Sequence, residues 1–124
     1  MIKINIPNPD LIIKKKEQSG EPGDPDISKI YGFTDYVRIP KDKSGIYMFF
    51  NQSDELLFAG KARKLKHRIR KNFEDNVSPI KNNRSDINKI AVIYVDEAMD
   101  REIYETYIIN TLHAKYNVDK VFYK

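Results

Sequence analysis

The sequence predicts a small α/β sandwich in which helices flank a central, mainly antiparallel sheet of three strands. Three observations support this prediction. Short apolar segments of strand length occur at residues 45–50, 55–59 and 89–95. Apolar residues at helical spacing occur at residues 61–73 and 100–114. The resulting order is strand, strand, helix, strand, helix, and a chain of 124 residues is large enough for one domain with a modest core.

The composition limits the class of protein. A hydrophobic fraction of 40%, with eight tyrosines and six phenylalanines, is typical of a globular chain. Cysteine is absent, which excludes disulfides and thiolate metal sites. The start, MIKINIPNPD, lacks the apolar core of a signal peptide, and no apolar segment approaches the length of a membrane span. We therefore expect a cytoplasmic protein without a membrane partner.

The first part of the chain differs from the rest. Residues 1–37 are predicted to form an N-terminal extension packed on or beside the core, and residues 38–124 to form the domain itself. Isoleucines alternate with polar residues over residues 2–6, which favours a short strand that the following prolines end. Two glycines and two prolines within residues 20–25 predict an irregular loop.

The next segments predict a β-hairpin. The nearly continuous apolar run GIYMFF, at residues 45–50, is typical of a central strand covered on both faces. Polar turn residues follow at 51–54, and residues 55–59 form the returning strand. Gly60 is predicted to end that strand, at a point where a small residue lets the backbone approach a neighbour or a ligand closely.

The remaining segments predict two helices and a strand between them. In the first helix, 61–73, the apolar side chains lie on one narrow face, made of Ala62, Leu65, Ile69 and Phe73. A polar loop containing Pro79 precedes the third strand. Asp100 then serves as the N-terminal cap of the second helix or lies in its first turn.

The first predicted helix is strongly basic and has no acidic residue between positions 61 and 71. Its cations are Lys61, Arg63, Lys64, Lys66, Arg68, Arg70 and Lys71. Helical geometry predicts one stripe formed by Lys61, Lys64, Arg68 and Lys71. A solvated helix face is the simpler interpretation, but such faces usually mix charge signs because like charges repel at this spacing. The pattern favours binding of nucleic acid or phosphate.

Two further residues have both a structural and a functional interpretation. Tyr47 lies in a core strand, where a tyrosine commonly packs and hydrogen-bonds through its hydroxyl. Lys61 follows Gly60 at a predicted helix start. A cation there is unfavourable for the helix dipole, which hints at an anion bound beside it.

The second predicted helix carries a possible metal ligand. Glu105 falls at the border of the apolar face and is expected to be partly buried, whereas Glu102 lies further toward solvent. An ordinary surface role is the alternative for Glu105, but a single carboxylate with open water positions suits Mg²⁺. His67 and His113 are interpreted as surface residues, because no further ligand stands at zinc-site spacing.

Several motifs together resemble the GIY-YIG endonuclease superfamily, and most of all the catalytic domain of the excision-repair incision subunit UvrC. The resemblance covers residues 38–118. It rests on GIY at 45–47, on FAG at 58–60, and on the helix-start pattern of Lys61, Ala62, Leu65 and Arg68. Further along, it rests on Glu105 followed by Ile109 and on Tyr116-Asn117-Val118.

The resemblance implies metal-dependent hydrolysis of a DNA phosphodiester bond. Tyr47 would activate or orient the attacking water, with assistance from Lys61. Arg68 would hold the scissile phosphate, and Glu105 would hold one divalent cation, Mg²⁺ or Mn²⁺. DNA is the implied partner.

Two departures from the motif leave a second function open. Phe58 stands where the family has a tyrosine, so one hydroxyl of the site is missing, and the proline that commonly precedes the closing Tyr-Asn is absent. We expect a stand-alone nuclease domain that obtains its specificity from elsewhere, with a protein partner as one source. The alternatives are a catalytically weak nucleic-acid-binding module of the same fold and a structural protein that binds no nucleic acid.

Overall fold

The computed structural model describes residues 2–15 and 26–123. Its elements in chain order are strand β1 (Leu11–Lys14), strand β2 (Gly45–Phe50), strand β3 (Leu56–Ala62), helix α1 (Leu65–Asn72), strand β4 (Lys89–Tyr94) and helix α2 (Ala98–Thr111). Single turns of 3₁₀-helix occur at Tyr36–Arg38 and Arg84–Asp86. All strand pairs are antiparallel, in the order β1-β4-β2-β3. The predicted mixed α/β class is confirmed.

The two helices lie on opposite faces of the sheet. Because side chains alternate along a strand, Tyr47 and Phe49 of β2 pack in the cluster that contains Leu65 and Ile69 of α1. Ile46 and Met48 point the other way, into the cluster that contains residues of α2. Strand β2 is therefore buried from both sides, as its continuous apolar run predicts.

The predicted hairpin is present, and its turn is organised by one side chain. Asn51 accepts hydrogen bonds at Oδ1 from the backbone N–H groups of Ser53 and Glu55, both at 2.9 Å. Asp54 takes the left-handed conformation, with a φ of 61°, which aspartate tolerates better than most residues. The turn sets the register in which Tyr47 pairs with Gly60.

The sheet has four strands, so the prediction of three was wrong. The additional strand, β1, pairs with β4 in a register that places Ile13 opposite Ile90, and both side chains are fully buried. The strand predicted over residues 2–6 is not formed, and Ile2 is 81% exposed there. Pairing between segments this far apart in sequence depends on cross-strand contacts that have no local signature.

The boundary between β3 and α1 also differs from the prediction. Gly60 does not end the strand, because the ladder continues until Ala62 pairs with Gly45. Helix α1 begins only at Leu65, so Lys61 is a strand residue. Pairing along the full length of β2 satisfies more backbone hydrogen bonds than an earlier helix start would.

Helix α2 and the flanking segments complete the domain. The helix starts after its N-cap Glu97, which places Asp100 in the first turn. Ile27 and Phe33 are buried in the same cluster as Tyr47. The predicted division into an extension of residues 1–37 and a domain of 38–124 stays a prediction, and the irregular loop predicted at 20–25 lies outside the described residues. In the part of the chain that the structure covers, no helix has the length and apolar character needed to span a bilayer.

Candidate active site

Four residues singled out in the sequence line one cavity of about 310 Å³. Each comes from a different element: Tyr47 from β2, Lys61 from β3, Arg68 from α1 and Glu105 from α2. Strand β3 is the outer strand of the sheet, so the cavity lies along the sheet edge between the two helices. Antiparallel pairing and the two flanking helices thus bring together residues that are up to 58 positions apart in the chain.

The edge of β3 is closed by the segment that follows α2. The Asn117 side chain forms two hydrogen bonds of 2.9 Å with Ala59, donating to its carbonyl oxygen and accepting from its N–H. The N–H groups of Lys115 and Tyr116 donate to the carbonyl oxygens of Leu56 and Leu57. An amide side chain thus continues the pairing that a strand would supply, and it forms one wall of the cavity.

Tyr47 is buried, and its hydroxyl has a defined partner. The Asn72 side chain donates a hydrogen bond of 2.9 Å to the Tyr47 hydroxyl oxygen. Burial raises the pKa of Tyr47 to about 12, although the Asn72 hydrogen bond and the charge of Arg68 act in the opposite direction. The phenol is therefore neutral at physiological pH, and with its oxygen accepting from Asn72 its proton is available to a group in the cavity.

Asn72 is a site residue that the sequence analysis missed. It is 5% exposed, and besides Tyr47 it contacts the carbonyl oxygen of Arg68 at 2.9 Å and the hydroxyl of Ser78 at 2.7 Å. A signal was present, because position 72 continues the apolar helical face of Leu65 and Ile69 at the spacing i, i+4, i+7. A polar residue at such a position requires buried hydrogen-bond partners.

An alternating chain of charges borders the cavity on the α2 side. Glu105 is 8% exposed, and its Oε1 lies 2.5 Å from the ammonium nitrogen of Lys120. Lys120 also lies 2.5 Å from Oε1 of Glu102, and Lys61 contacts the other oxygen of Glu102. Hydrogen bonds from Lys120 and Lys61 lower the pKa of Glu102 to about 2. As predicted from helical geometry, Glu105 is the more buried of the two glutamates.

The cations of the basic segment divide into two groups. One group lines a groove of about 820 Å³ that shares Lys61 and Arg68 with the cavity, and it consists of Lys61, Arg63, Lys64 and Arg68, with His67 beside them. The predicted helical stripe was wrong because α1 starts at Leu65. Even so, Lys61 and Lys64, which precede the helix, face the same groove as Arg68.

Two of the three cations in the second group contact other side chains of the protein. Lys66 and Arg70 lie over the Tyr36 ring, at 4.6 Å and 5.1 Å from its centroid, and Arg70 also pairs with Glu74 at 3.0 Å. Lys71 is exposed near the end of α1. The cations of this group therefore lie apart from the cavity, as they line neither it nor the groove.

Phe58 lines the cavity as well. Its ring is 9% exposed and lies 6.2 Å from the Tyr47 ring, centroid to centroid. The position that departs from the family motif is therefore directed at the site, where a phenylalanine supplies packing but no hydrogen bond.

The donors present fit a single hard divalent cation. Within residues 2–15 and 26–123, no group of three or more His, Cys, Asp or Glu side chains is placed to hold a metal, which rules out a zinc-type ligand cage there. His113 instead stacks on Tyr123. Glu105 offers a carboxylate to a polar cavity with room for water, and Mg²⁺ or Mn²⁺ binds well through one carboxylate and retained water.

Fold and site together define the class of small α/β domains on which GIY-YIG nucleases are built. The UvrC-like GIY-YIG domain family matches residues 43–118 of this chain. The chain therefore belongs to that family, and the resemblance inferred from the motifs is confirmed.

Individual relatives agree with this assignment. The uncharacterized protein YurQ of Bacillus subtilis is 60% identical over 124 residues, covering all of both chains. The UvrABC system protein C of Nautilia profundicola is 33% identical over 94 residues, which is 69% of this chain but 15% of that relative. The magnesium-bound GIY-YIG N-terminal endonuclease domain of UvrC from Thermotoga maritima has the same fold, with a TM-score of 0.59 and 22% identity, over 69% of this chain and all of that one.

Proposed function

We propose that this protein is a metal-dependent DNA endonuclease that hydrolyses a phosphodiester bond with a UvrC-like catalytic domain. The observation that carries the proposal is the convergence of Tyr47, Lys61, Arg68 and Glu105 on one cavity. Membership of the GIY-YIG family supports it. The catalytic domain in the Thermotoga maritima structure is bound to magnesium, which supports Mg²⁺ or Mn²⁺ as the cofactor.

The geometry supports a division of labour among these side chains. Arg68 holds the scissile phosphate: within residues 2–15 and 26–123 its guanidinium has no ion-pair partner, so its donors are available to non-bridging oxygens. Tyr47 orients the attacking water through its neutral hydroxyl, which Asn72 keeps in place. The Lys61 ammonium stabilises negative charge beside it.

Glu105 is the residue that holds the cation. When bound, a divalent metal supplies Lewis acidity and stabilises the leaving oxygen. The burial of Glu105 fixes its carboxylate at the α2 side of the cavity that Tyr47 also lines. Arg63, Lys64 and His67 then extend the binding surface along the groove that accepts the DNA backbone.

A catalytically weak nucleic-acid-binding module is the second candidate. Phe58 favours it, because the site lacks one hydroxyl, and so does the contact of Lys120 with Glu105. Both candidates use the basic groove and both leave specificity to a protein partner. Salt-sensitive DNA binding therefore does not separate them, although absence of DNA affinity at low salt would contradict both.

Cleavage separates the two. Supercoiled, bubble-containing and flapped DNA are incubated with the protein and Mg²⁺ or Mn²⁺, with EDTA as the control. We expect metal-dependent nicking that Glu105→Gln abolishes, with Glu102→Gln as the matched control on the same helix. Nicking on none of these substrates would favour the binding module. If Glu105→Gln cuts as fast as the parent while Glu102→Gln does not, Glu102 is the metal ligand.

A further inference from the structure

The ammonium group of Lys120 lies at one carboxylate oxygen of Glu105, the residue proposed to hold the cation. Its nitrogen is 2.5 Å from Oε1 of Glu105 and 2.5 Å from Oε1 of Glu102. The Lys120 side chain is 27% exposed, so most of it is shielded from water. Position 120 lies beyond the region matched by the family, which ends at residue 118. The contact therefore lies outside the region that the family match covers.

The backbone around Lys120 is held so that the side chain reaches the cavity. The Asn110 side chain of α2 donates a hydrogen bond of 2.7 Å to the Lys120 carbonyl oxygen and accepts one of 2.6 Å from the N–H of Phe122. Lys120 has a φ of 63°, in the left-handed region, which is unfavourable for a residue with a side chain. Such a conformation persists only where its surroundings hold it in place, and here Asn110 does so.

An ammonium and a divalent cation exclude each other at one carboxylate oxygen. Both need the lone pairs of that oxygen, which is Oε1 of Glu105 here, and their like charges repel at close range. The second oxygen of Glu102 is already in contact with Lys61. A divalent cation that binds Oε1 of Glu105 must therefore displace Lys120, which leaves Lys120 with Glu102, and a cation at the second oxygen of Glu105 is repelled by the nearby ammonium.

We propose that Lys120 is a tethered competitor for the divalent cation, occupying the Glu105 carboxylate until the metal displaces it. This inference rests on the proposed function, because it takes Glu105 as the metal ligand. It predicts that the parent protein binds the cation more weakly than its carboxylate alone would allow. An ammonium that occupies the site in about nine tenths of the molecules would weaken the apparent affinity about tenfold.

Mn²⁺ binding to the full chain tests the proposal without any cleavage measurement. Free Mn²⁺ is followed by its electron paramagnetic resonance signal at low ionic strength. Lys120→Met should lower the dissociation constant about tenfold. Lys115→Met removes the same charge from an exposed side chain that does not line this cavity, and it should leave the constant nearly unchanged. An unchanged or higher dissociation constant in Lys120→Met would overturn the proposal.

Two more variants make the result decisive. Asn110→Ala retains the lysine but releases the turn, so it should tighten Mn²⁺ binding in the same direction; it also provides the test if Lys120→Met fails to fold. Glu105→Gln should abolish binding both alone and combined with Lys120→Met. If Glu105→Gln still binds Mn²⁺ like the parent, the metal site of the proposed function is wrong. If it loses binding while Lys120→Met and Asn110→Ala resemble the parent, only the competitor role fails.

Discussion

Gly60 lies directly opposite Tyr47 in the β2–β3 ladder, and the tyrosine side chain folds over it. A β-carbon at position 60 would be 2.4 Å from the Tyr47 hydroxyl oxygen and 2.5 Å from the ring carbon that carries it. Real β-carbons do not approach other atoms so closely. The glycine therefore provides the space in which the phenol reaches Asn72 and the cavity.

Gly60→Ala should displace the Tyr47 ring and destabilise the fold. Because the ring is buried, overpacking should cost about 1–3 kcal/mol of unfolding free energy, measured in urea. Cleavage should fall with it, since the hydroxyl moves away from Asn72. Gln52→Ala, in the exposed hairpin turn, is the control and should stay within about 0.5 kcal/mol of the parent. Parent-like stability and cleavage in Gly60→Ala would show that the ring does not need this space.

Asn72→Ala should reduce both stability and cleavage. The change leaves the buried hydroxyls of Tyr47 and Ser78 without their partner, at a cost of about 1–3 kcal/mol. Ser78→Ala is the matched control, because it removes one hydrogen bond of Asn72 and keeps the one to Tyr47. If both variants lose cleavage equally, Asn72 supports the fold and does not position Tyr47.

The Tyr47 hydroxyl should lose its proton at a higher pH than an ordinary tyrosine does. Its pKa is raised from 10.0 to about 12 by burial, so the folded state favours the neutral phenol. The associated stability is fully present below pH 10 and is lost as the pH rises from 10 toward 12. In an alkaline titration followed by tyrosinate absorbance, the parent should show one tyrosine that ionises near pH 12, and Tyr47→Phe should lack it. Persistence of that ionisation in the variant would assign it to another tyrosine.

Arg68→Ala should abolish cleavage and weaken DNA binding. Loss of a charge-assisted hydrogen bond to phosphate should cost about 1.5–3 kcal/mol of binding free energy. The slope of the logarithm of the binding constant against the logarithm of the salt concentration should also become smaller by about one. Arg70→Ala, two positions away on the same helix, should have a smaller effect because Arg70 pairs with Glu74 and lies over Tyr36. Equal losses of DNA affinity in the two variants would mean that Arg68, in the groove, contributes no more to DNA binding than Arg70, outside it.

Phe58→Tyr should raise the cleavage rate if the missing hydroxyl limits the enzyme. The ring lines the cavity, so an added hydroxyl has space to enter it and to form one hydrogen bond, and about 1 kcal/mol of transition-state stabilisation corresponds to about fivefold in rate. The melting temperature should change little. An unchanged rate would mean that this site works without the second tyrosine.

Local patterns in the sequence were sufficient for most elements of the fold. The strands at residues 45–50 and 89–95 were predicted to within one residue, because apolar runs bounded by turn residues have a clear local signature. The same holds for the helical face of Leu65 and Ile69. The hairpin between β2 and β3 was predicted as well, although its second strand ends three residues later than predicted. The glycine at the predicted strand end also indicated that the backbone at Gly60 approaches a neighbour closely. Only the strand pairing identifies that neighbour as Tyr47.

Tertiary contacts decided the remaining features. The pairing of β1 with β4, the extension of β3 to Ala62 and the position of Lys120 all depend on partners between 15 and 81 residues away. The sequence by itself determined the fold class, the family and the candidate residues, because these follow from local periodicity and motif spacing. Only the tertiary structure decided which strand edge was open to β1 and which ammonium contacts Glu105, because both depend on the packing of segments distant in sequence.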